Sequence, residues 1–259
     1  MDGIDRFSEA MSRFSDCYVI IGGTACVLEM QDSPLVRPRA THDIDMIVVV
    51  ERISEEFVKC MWAFLKAGGY RGYKHIEGGQ PRYQLFRFQT ETLGYPPMIE
   101  LLSRHPHLLG EPQGLTIEPV VVEGDRTSLS AIIMDDDTYS FTLRHSRLSG
   151  SVRHADAAAL IALKTRAYLN LVNDRLSGKE VDSRDIKKHR GDVLKLLLVI
   201  ANEPVAAPQS IVLCVNEFVN ALKNDWDNVA QSLSDAVGHP KEMVGQLLEM
   251  LNTLFVEES

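Results

Sequence analysis

The sequence predicts an α+β fold in which a mixed β-sheet with flanking helices is followed by a helical domain. A short apolar strand, Tyr18–Ile21, ends in two glycines and leads into a helical pattern. A second apolar strand, Asp43–Val50, opens with two carboxylates. Strand patterns recur as far as Gly150, beyond which only helical periodicity continues. We therefore expect two domains, one over residues 1–150 and one over residues 151–259.

Three helical patterns accompany these first strands. Apolar residues recur at helical spacing over residues 4–15 and again over Thr24–Met30. A third helix begins after Ser54, a residue type that caps helix N-termini, and runs to Ala67, where two glycines end it. Residues 31–40 contain two prolines and are expected to form a loop.

Further strands are predicted beyond the third helix. They cover Tyr83–Gln89, Met98–Leu102 and Leu115–Val122, which are rich in aliphatic, aromatic or β-branched residues. Leu129–Met134 and Tyr139–Leu143 flank three consecutive aspartates. We expect these two segments to form a β-hairpin with an acidic turn.

The second half of the chain is predicted to be helical. Asp156 precedes an apolar stripe at helical spacing and is expected to cap a helix over Ala157–Leu176. A second helix begins near Ser183. Helical patterns over Ile211–Leu222 and Met243–Leu254 carry no recognisable chemistry, and we expect them to complete the helical domain or to contact a partner.

The composition narrows the class of protein. Of the 259 residues, 45% are hydrophobic and 24% charged, as in an ordinary globular protein, and the net charge of −9 argues against strong non-specific nucleic-acid binding. None of the four cysteines forms a Cys-x-x-Cys pair, which favours reduced thiols in a cytosol over a zinc or redox motif. The first residues are acidic where a signal peptide would be basic, and no apolar run reaches the length of a membrane span. We expect a cytoplasmic protein without membrane contact.

Asp43 and Asp45 are the first candidate site residues. Side chains alternate along a strand, so the two carboxylates point to the same face, about 7 Å apart along the backbone. Two aspartates on one face of a buried strand are costly unless a cation or hydrogen bonds compensate them. Mg²⁺ is usually held by one or two carboxylates plus substrate phosphates. A solvated strand end is the more common explanation of an isolated Asp-x-Asp.

The glycine turn is the second candidate. Gly22 and Gly23 allow an anion to approach the backbone closely, and the helix that follows offers its first N–H groups to that anion. Thr24 adds a hydroxyl. A phosphate at Gly22, Gly23 and Thr24 and a cation at the two aspartates would together make one site. Taken alone, a Gly-Gly pair is usually only a turn.

Other charged residues have weaker signals. Glu100 lies within an apolar strand, where it needs a partner unless it reaches water at a strand edge. Arg37 and Arg39 lie in the proline-containing loop, where contact with phosphate and simple solvation are about equally expected. The basic run Arg184–Arg190 lies on the second helix of the helical domain and mildly favours a nucleic-acid acceptor.

In this order, the motifs resemble the nucleotidyltransferase fold of the DNA polymerase beta type. That family carries Gly-Gly or Gly-Ser before a helix, then Asp-x-Asp on the next strand, then a third carboxylate on a later strand. The resemblance implies that Asp43, Asp45 and Glu100 are catalytic and hold Mg²⁺ or Mn²⁺ in a two-metal site. It also implies that Gly22, Gly23 and Thr24 bind the phosphates of an NTP.

Residues of the helical domain extend the resemblance. A lysine on the first helix after the sheet, Lys164, and Arg-Asp-x-x-Lys on the next helix are similar to the AbiEii-type nucleotidyltransferases, toxins of some bacterial toxin–antitoxin systems. This implies nucleotide-binding roles for Lys164 and Asp185. It also implies a tRNA or protein acceptor and a cognate antitoxin as partner. Pairing of Asp185 and Asp192 with Lys188 along the helix surface is the structural alternative.

The leading functional hypothesis is therefore a metal-dependent nucleotidyltransferase that moves an NMP from an NTP to an acceptor. The same fold suits small-molecule acceptors such as aminoglycosides, and it suits phosphoryl transfer as in a kinase, because a fold does not determine a function. A non-enzymatic protein that binds nucleotide or a partner is the alternative from another class. The sequence leaves the acceptor open.

Overall fold

The computed structural model describes residues 3–75, 84–103, 117–120 and 135–258. Within these ranges the chain is an α+β protein with a mixed sheet and a helical C-terminal region, which confirms the predicted fold class. The predicted segment Leu129–Met134 lies outside the described residues.

Helices and strands are mixed up to residue 155, and the described elements after that residue are mainly helices. The described helices are α1 Ile4–Met11, α2 Gly22–Met30, α3 Glu55–Ala67, α4 Asp136–Arg144, α5 Ala157–Leu176, α6 Ser183–Leu197, α7 Gln209–Asn224, α8 Trp226–Val237 and α9 Lys241–Leu254. The described strands are β1 Tyr18–Ile21, β2 Ile44–Val48, β3 Arg71–His75, β4 Gln84–Gln89, β5 Met98–Ser103, β6 Ile117–Val120, β7 Ser146–Ser149, β8 Val152–Ala155, β9 Val205–Ala207 and β10 Phe255–Glu257.

Eight strands form one sheet in the order β6-β3-β4-β5-β2-β1-β8-β7. In its centre β2 runs antiparallel to β1 and parallel to β5, and β5 runs antiparallel to β4. The C-terminal end of β1 therefore lies beside the N-terminal ends of β2 and β5. This arrangement brings the glycine turn and the predicted carboxylates to the same end of the sheet.

One face of the central strands is apolar and is covered by α1 and α3. Phe7 of α1 is fully buried, and its ring lies 5.5 Å from that of Tyr18 and 5.7 Å from that of Phe64. Trp62 of α3 packs edge-on against Phe86 and Phe88 of β4. Because paired residues of neighbouring strands share a face, the alternate residues of β2, β4 and β5 point to the opposite side.

The predicted cap of α3 is present. The Ser54 hydroxyl accepts a hydrogen bond from the Phe57 backbone N–H at 3.1 Å, and the helix ends before Gly68, followed by Gly69 at a φ of 63°. All four residues that the structure buries on α3 are apolar: Phe57, Met61, Phe64 and Leu65. The helix therefore forms where periodicity and capping both predict it.

The prediction of a strand over Tyr139–Leu143 is wrong. This segment lies in α4, which begins at Asp136. Two acidic residues occupy the first turn, where they interact favourably with the helix dipole, and the Thr138 hydroxyl donates to the Asp135 carboxylate at 2.9 Å. The buried residues Tyr139 and Thr142 are three apart, which is helical spacing. The three aspartates mark a helix start, and the turn expected there does not form.

The two paired strands that directly follow α4 were not predicted. β7 and β8 form an antiparallel hairpin whose turn contains Gly150 at a φ of 61°, and β8 pairs with β1 in parallel through His154 and Ile20. The sequence of β7, Ser-Arg-Leu-Ser, is too polar to show a strand pattern. A strand at the edge of a sheet does not need apolar residues on both faces, which explains why its sequence is uninformative.

The chain divides into two compact units. The first contains the eight-stranded sheet and combines the described residues of Met1–Leu28, Arg39–Asp125 and Ser146–Ala155. The second consists mainly of helices and combines the described residues of Glu29–Pro38, Arg126–His145 and Asp156–Ser259. In the second unit β9 and β10 form a small parallel pair. The division into residues 1–150 and 151–259 stays a prediction.

Among the helices of the described ranges, none combines the length and apolar character that crossing a lipid bilayer would require.

Asp156 is expected to stabilise the helical unit in a pH-dependent way. Burial alone would raise the pKa of this carboxyl, but hydrogen bonds from His145, at 3.1 Å, and from the Ala159 backbone N–H, at 3.0 Å, outweigh it and lower the pKa below its ordinary value. A carboxyl with a lowered folded-state pKa contributes stability above its unfolded pKa and loses it as the pH falls through the folded value. We predict that Asp156→Asn, which can still cap the helix, lowers the free energy of unfolding by about 1 kcal/mol at pH 7.

Urea denaturation of wild type and Asp156→Asn between pH 3 and pH 7 measures this effect. The difference in unfolding free energy should shrink as the pH falls below about 4, the ordinary carboxyl range. A difference that does not change with pH would contradict the role of the Asp156 charge.

Candidate active site

A row of three charged residues crosses three adjacent strands at the centre of the sheet. Asp45 of β2 is paired with Glu100 of β5, and Glu100 is paired with Arg87 of β4. Paired residues of a ladder project from the same face, so the three side chains lie side by side on the face opposite to α3. The pairing of Asp45 with Glu100 brings together two of the residues that the sequence singled out.

Asp43 lies immediately before β2 and is held there by the glycine turn. The Thr24 hydroxyl donates a hydrogen bond to the Asp43 carbonyl oxygen at 2.5 Å, and Thr24 is buried. The sequence assigned this hydroxyl to phosphate binding. In the structure it anchors the backbone that carries the Asp-x-Asp motif, so Thr24 positions the carboxylates.

We call Asp43, Asp45 and Glu100 the carboxylate row. Gly22 of the turn lies directly beside Asp45 of this row. Its φ of 69° lies in the left-handed region that favours glycine, and a Cβ built on it would overlap the Oδ2 atom of Asp45. Both the backbone conformation and the space therefore require glycine. The helix α2 begins at this residue, two positions before its predicted start.

Arg39 approaches the other glycine of the turn. A Cβ on Gly23 would lie 2.9 Å from Nη2 of Arg39 and 2.9 Å from the Thr41 hydroxyl oxygen. A guanidinium beside the first turn of a helix adds positive charge to that of the unpaired backbone N–H groups. The sequence left open whether Arg37 and Arg39 contact phosphate. Of these two arginines, Arg39 lies beside the glycine turn.

Glu100 has a charged partner that sequence analysis missed. Its carboxylate accepts a hydrogen bond from Nε of Arg87 at 2.5 Å, and the two side chains are 5% and 23% exposed. A buried carboxylate needs such compensation. Arg87 could have been found as the polar member of an alternating strand, but its contact with Glu100 requires the register between β4 and β5.

Breaking this pair is expected to be costly. Arg87→Met leaves the Glu100 carboxylate buried without its cation, and we predict a loss of about 3 kcal/mol in the free energy of unfolding, measured by urea denaturation. The double variant Arg87→Met/Glu100→Gln should recover most of that loss. The exposed Arg184 supplies the control, because Arg184→Met should leave the midpoint unchanged. Equal midpoints for Arg87→Met and wild type would show that the pair is unimportant.

Gly22→Ala tests the contact between turn and carboxylate. We predict a destabilisation of about 2 kcal/mol, because the added methyl group meets both a left-handed backbone and the Asp45 carboxylate. If the turn binds the phosphates of an NTP, as the resemblance implies, NTP binding should be lost as well. Gly150→Ala is the matched control: its φ is 61°, but its Cβ would meet nothing within 4 Å. Thermal unfolding and calorimetry with an NTP measure both effects. If Gly22→Ala and Gly150→Ala lower stability equally, the cost at Gly22 comes from the backbone conformation, and the contact with Asp45 adds nothing to it.

The structure places Lys164 and Asp185 in the helical unit. Lys164 of α5 is buried, and its Nζ donates to Oδ2 of Asp192 on α6 at 2.7 Å. Asp185 is exposed in the first turn of α6. Asp192 therefore pairs with Lys164 on the neighbouring helix, whereas the sequence suggested Lys188 on its own helix as a partner. The nucleotide-binding roles of Lys164 and Asp185 stay predictions.

The donor set of the carboxylate row suits a hard divalent cation in part. Carboxylate oxygens are the ligands that Mg²⁺ and Mn²⁺ take, and Asp43 and Asp45 supply the one or two carboxylates usual for Mg²⁺ beside substrate phosphates. Within the described residues, no three His, Cys, Asp or Glu side chains are grouped so that they could hold an ion. Glu100 is engaged by Arg87. A cation on Asp43 and Asp45 fits the chemistry present, and Glu100 as third ligand stays a prediction.

Comparison with known proteins leaves the family open. No family model and no curated protein matches the chain. One solved structure is of an H. pylori protein that is provisionally named a nucleotidyltransferase. The alignment covers 96% of the present chain and 92% of the H. pylori protein, at 11% identity and a TM-score of 0.41. JHP933 from Helicobacter pylori aligns with 96% of the chain and 90% of its own length, at 11% identity and a TM-score of 0.36. Structural similarity at these TM-scores does not assign an activity. The candidate site is therefore argued from the geometry of its residues alone.

Proposed function

We propose that the chain is a nucleotidyltransferase that moves a nucleoside monophosphate from an NTP to an acceptor hydroxyl. The observation that carries this proposal is the contact between the glycine turn and the carboxylate row. Gly22 lies against Asp45 so closely that a methyl group would not fit between them. An anion bound at the turn would therefore lie beside the carboxylates, as phosphate transfer needs.

The turn supplies the phosphate side of the site. The first backbone N–H groups of α2 have no partner within the helix, and the positive end of the helix dipole favours an anion there. Arg39 adds a guanidinium beside Gly23. We assign the β and γ phosphates of the NTP to this place, with Gly22 and Gly23 as the close-approach residues and Thr24 as the anchor of the carboxylate backbone.

The carboxylates supply the reacting side. In the transfer, the acceptor oxygen forms a bond to the α-phosphorus while the bond from that phosphorus to pyrophosphate breaks, and the acceptor proton passes to a carboxylate of the row. Mg²⁺ or Mn²⁺ held by Asp43 and Asp45, with Glu100 as the predicted further ligand, would offset the phosphate charge when bound. Arg87 holds the Glu100 carboxylate in place beside Asp45 through their ion pair.

Further parts of the proposal follow from the AbiEii resemblance. They are a tRNA or protein acceptor, a cognate antitoxin as partner, and contributions of Lys164 and Asp185 to nucleotide binding. For Lys164 the contact with Asp192 already supplies a structural role. Asp185, being exposed, is accessible to a ligand.

A protein that binds nucleotide without transferring it is the second candidate. The pair of Arg87 and Glu100 favours it, because an arginine that neutralises a buried glutamate explains that glutamate without catalysis. The two candidates differ in whether the labelled α-phosphate of the NTP is transferred to an acceptor.

The test combines the purified protein, Mg²⁺ and each α-labelled NTP in turn, with total bacterial RNA, the protein itself or kanamycin as acceptor. Label in RNA or protein supports nucleotidyl transfer to a macromolecule, and label in kanamycin supports a small-molecule enzyme. A parallel reaction with γ-labelled NTP detects phosphoryl transfer. Nucleotide binding by calorimetry without any transfer would favour the second candidate. If the protein neither binds nor transfers a nucleotide, both candidates are contradicted.

A further inference from the structure

A cavity of about 810 Å³ opens in the sheet unit next to Asp43. Its lining comes from the residue before β2, the loop after α3, the start of β3, the turn between β4 and β5, and the start of β5. The residues are Asp43, Gly69, Arg71, Gln89, Thr90, Glu91, Thr92, Pro97 and Met98. Ligand sites commonly have volumes of about 300–1,000 Å³, so this cavity has room for a small molecule.

Hydrogen bonds within the sheet unit hold the turn between β4 and β5, which forms part of the cavity lining. The Thr90 hydroxyl donates to the Gly68 carbonyl oxygen at 2.6 Å, and the Thr90 backbone N–H donates to the Pro97 carbonyl oxygen at 3.0 Å. The Thr92 backbone N–H donates to the Thr90 hydroxyl oxygen at 3.1 Å. A turn held by three such bonds offers its remaining polar groups in defined positions, which lowers the entropy cost of binding.

The cavity shares a face and an end of the sheet with the carboxylate row. Arg71, Gln89 and Met98 are paired across β3, β4 and β5, and they lie two residues along their strands from the ladder that carries Arg87 and Glu100. An even separation along a strand keeps side chains on one face. Asp43 joins the two places, because it lines the cavity and lies two residues before Asp45.

The cavity and the glycine turn lie on opposite sides of the aspartates. In the sheet order, Gly22 follows β1, Asp43 and Asp45 stand at the start of β2, and the cavity extends from there over β5, β4 and β3. In an in-line displacement at phosphorus, the attacking and leaving oxygens are on opposite sides of the phosphorus. If pyrophosphate leaves towards the glycine turn, the acceptor attacks from the side of the cavity.

The lining favours an uncharged ligand with several hydroxyl groups. Asp43 and Glu91 carry negative charge and Arg71 carries positive charge, so the lining neither concentrates negative charge for a polycation nor positive charge for an anion. Carboxylates accept from hydroxyl groups, a guanidinium donates to them, and the Gln89 amide does both. Pro97 and Met98 add an apolar surface for the face of a ring. This combination suits vicinal hydroxyls on a ring.

We infer that this cavity is the acceptor site and takes a sugar ring, either a free sugar or the ribose of a nucleoside. The inference rests on the proposed function, because it gives the transferred group a destination. Its ligand class differs from an aminoglycoside, because two carboxylates beside the Arg71 guanidinium supply less negative charge than a polycation would need.

Calorimetry on the full chain, without NTP, tests the binding part with three probes: glucose, adenosine and kanamycin. We expect glucose or adenosine to bind, and the one that binds identifies the source of the ring. Gln89→Ala should weaken that binding about fivefold to tenfold through the lost amide hydrogen bonds, whereas Gln246→Ala, an exposed glutamine on α9, should leave it unchanged. No binding of either ring, tighter binding of kanamycin, or no effect of Gln89→Ala would overturn the inference.

Transfer from an α-labelled NTP to the bound probe tests the acceptor part and separates it from the proposed function. We expect label in the probe, and we expect Gln89→Ala to raise the KM for the probe more than it lowers kcat. Label that enters RNA or protein but not the probe, and that is insensitive to Gln89→Ala, would overturn the acceptor site while nucleotidyl transfer stands. Binding of the probe without transfer to any acceptor would overturn both the acceptor role and the proposed function.

Discussion

Asp45→Asn is expected to lower the rate of nucleotidyl transfer by at least about a thousandfold while the protein stays folded. Asp45 contacts the Gly22 turn on one side and is paired with Glu100 on the other, so it is the carboxylate closest to both halves of the proposed site. Asparagine keeps the shape and removes the charge that would hold a cation or accept a proton. Transfer of label from an α-labelled NTP measures the loss.

Stability provides the control for this variant. Asp45 and Glu100 are like charges directly opposed on neighbouring strands, and such a pair is destabilising. Asparagine has nearly the same shape and removes one of these two charges, so we expect the Tm of Asp45→Asn to stay close to that of wild type. Asp32→Asn, on the exposed loop after α2, should change neither Tm nor transfer. Transfer that survives in Asp45→Asn would show that this carboxylate is outside the reaction centre.

Lys164→Met is expected to destabilise the helical unit by about 3–5 kcal/mol. The ammonium of Lys164 and the carboxylate of Asp192 are 2.7 Å apart, with side chains only 3% and 5% exposed. Removing the lysine takes the ammonium away from a buried carboxylate, which costs far more than the pair itself contributes. The midpoint of urea denaturation measures the loss, and Lys188→Met, on the exposed face of α6, should leave that midpoint unchanged.

The double variant Lys164→Met/Asp192→Leu separates a structural from a nucleotide-binding role. Replacing both charges with apolar residues of similar volume should restore most of the stability. If NTP binding returns with stability, Lys164 acts through packing. If Lys164→Met is as stable as wild type but no longer binds NTP, the structural role is wrong and the role implied by the AbiEii resemblance is supported.

Local signals in the sequence were sufficient for much of the fold. β1 forms over its predicted range because four consecutive apolar residues are followed by glycine, and α3 and α5 begin after the caps predicted for them. The elements that were missed lack such signals. The strand β7 is polar, and the three aspartates at the start of α4 favour a helix N-terminus as well as a turn.

The candidate site divides in the same way. Local patterns predict that Gly22 ends β1 and that Asp43 and Asp45 stand at the start of β2, whereas the contact of Gly22 with Asp45 depends on the antiparallel pairing of these two strands. The pairing of Glu100 with both Asp45 and Arg87 depends on the order and register of strands that are distant in sequence, and nothing local specifies them. The Lys164–Asp192 contact likewise depends on how α5 packs against α6.

Pyrophosphate release measured beside label incorporation is the most direct test of the proposed transfer at the Asp45–Gly22 contact. With wild type, Mg²⁺ and an α-labelled NTP, we predict one pyrophosphate for each nucleotide incorporated, and neither product with Asp45→Asn. Release of orthophosphate in place of pyrophosphate, or equal products from wild type and Asp45→Asn, would contradict nucleotidyl transfer at this site.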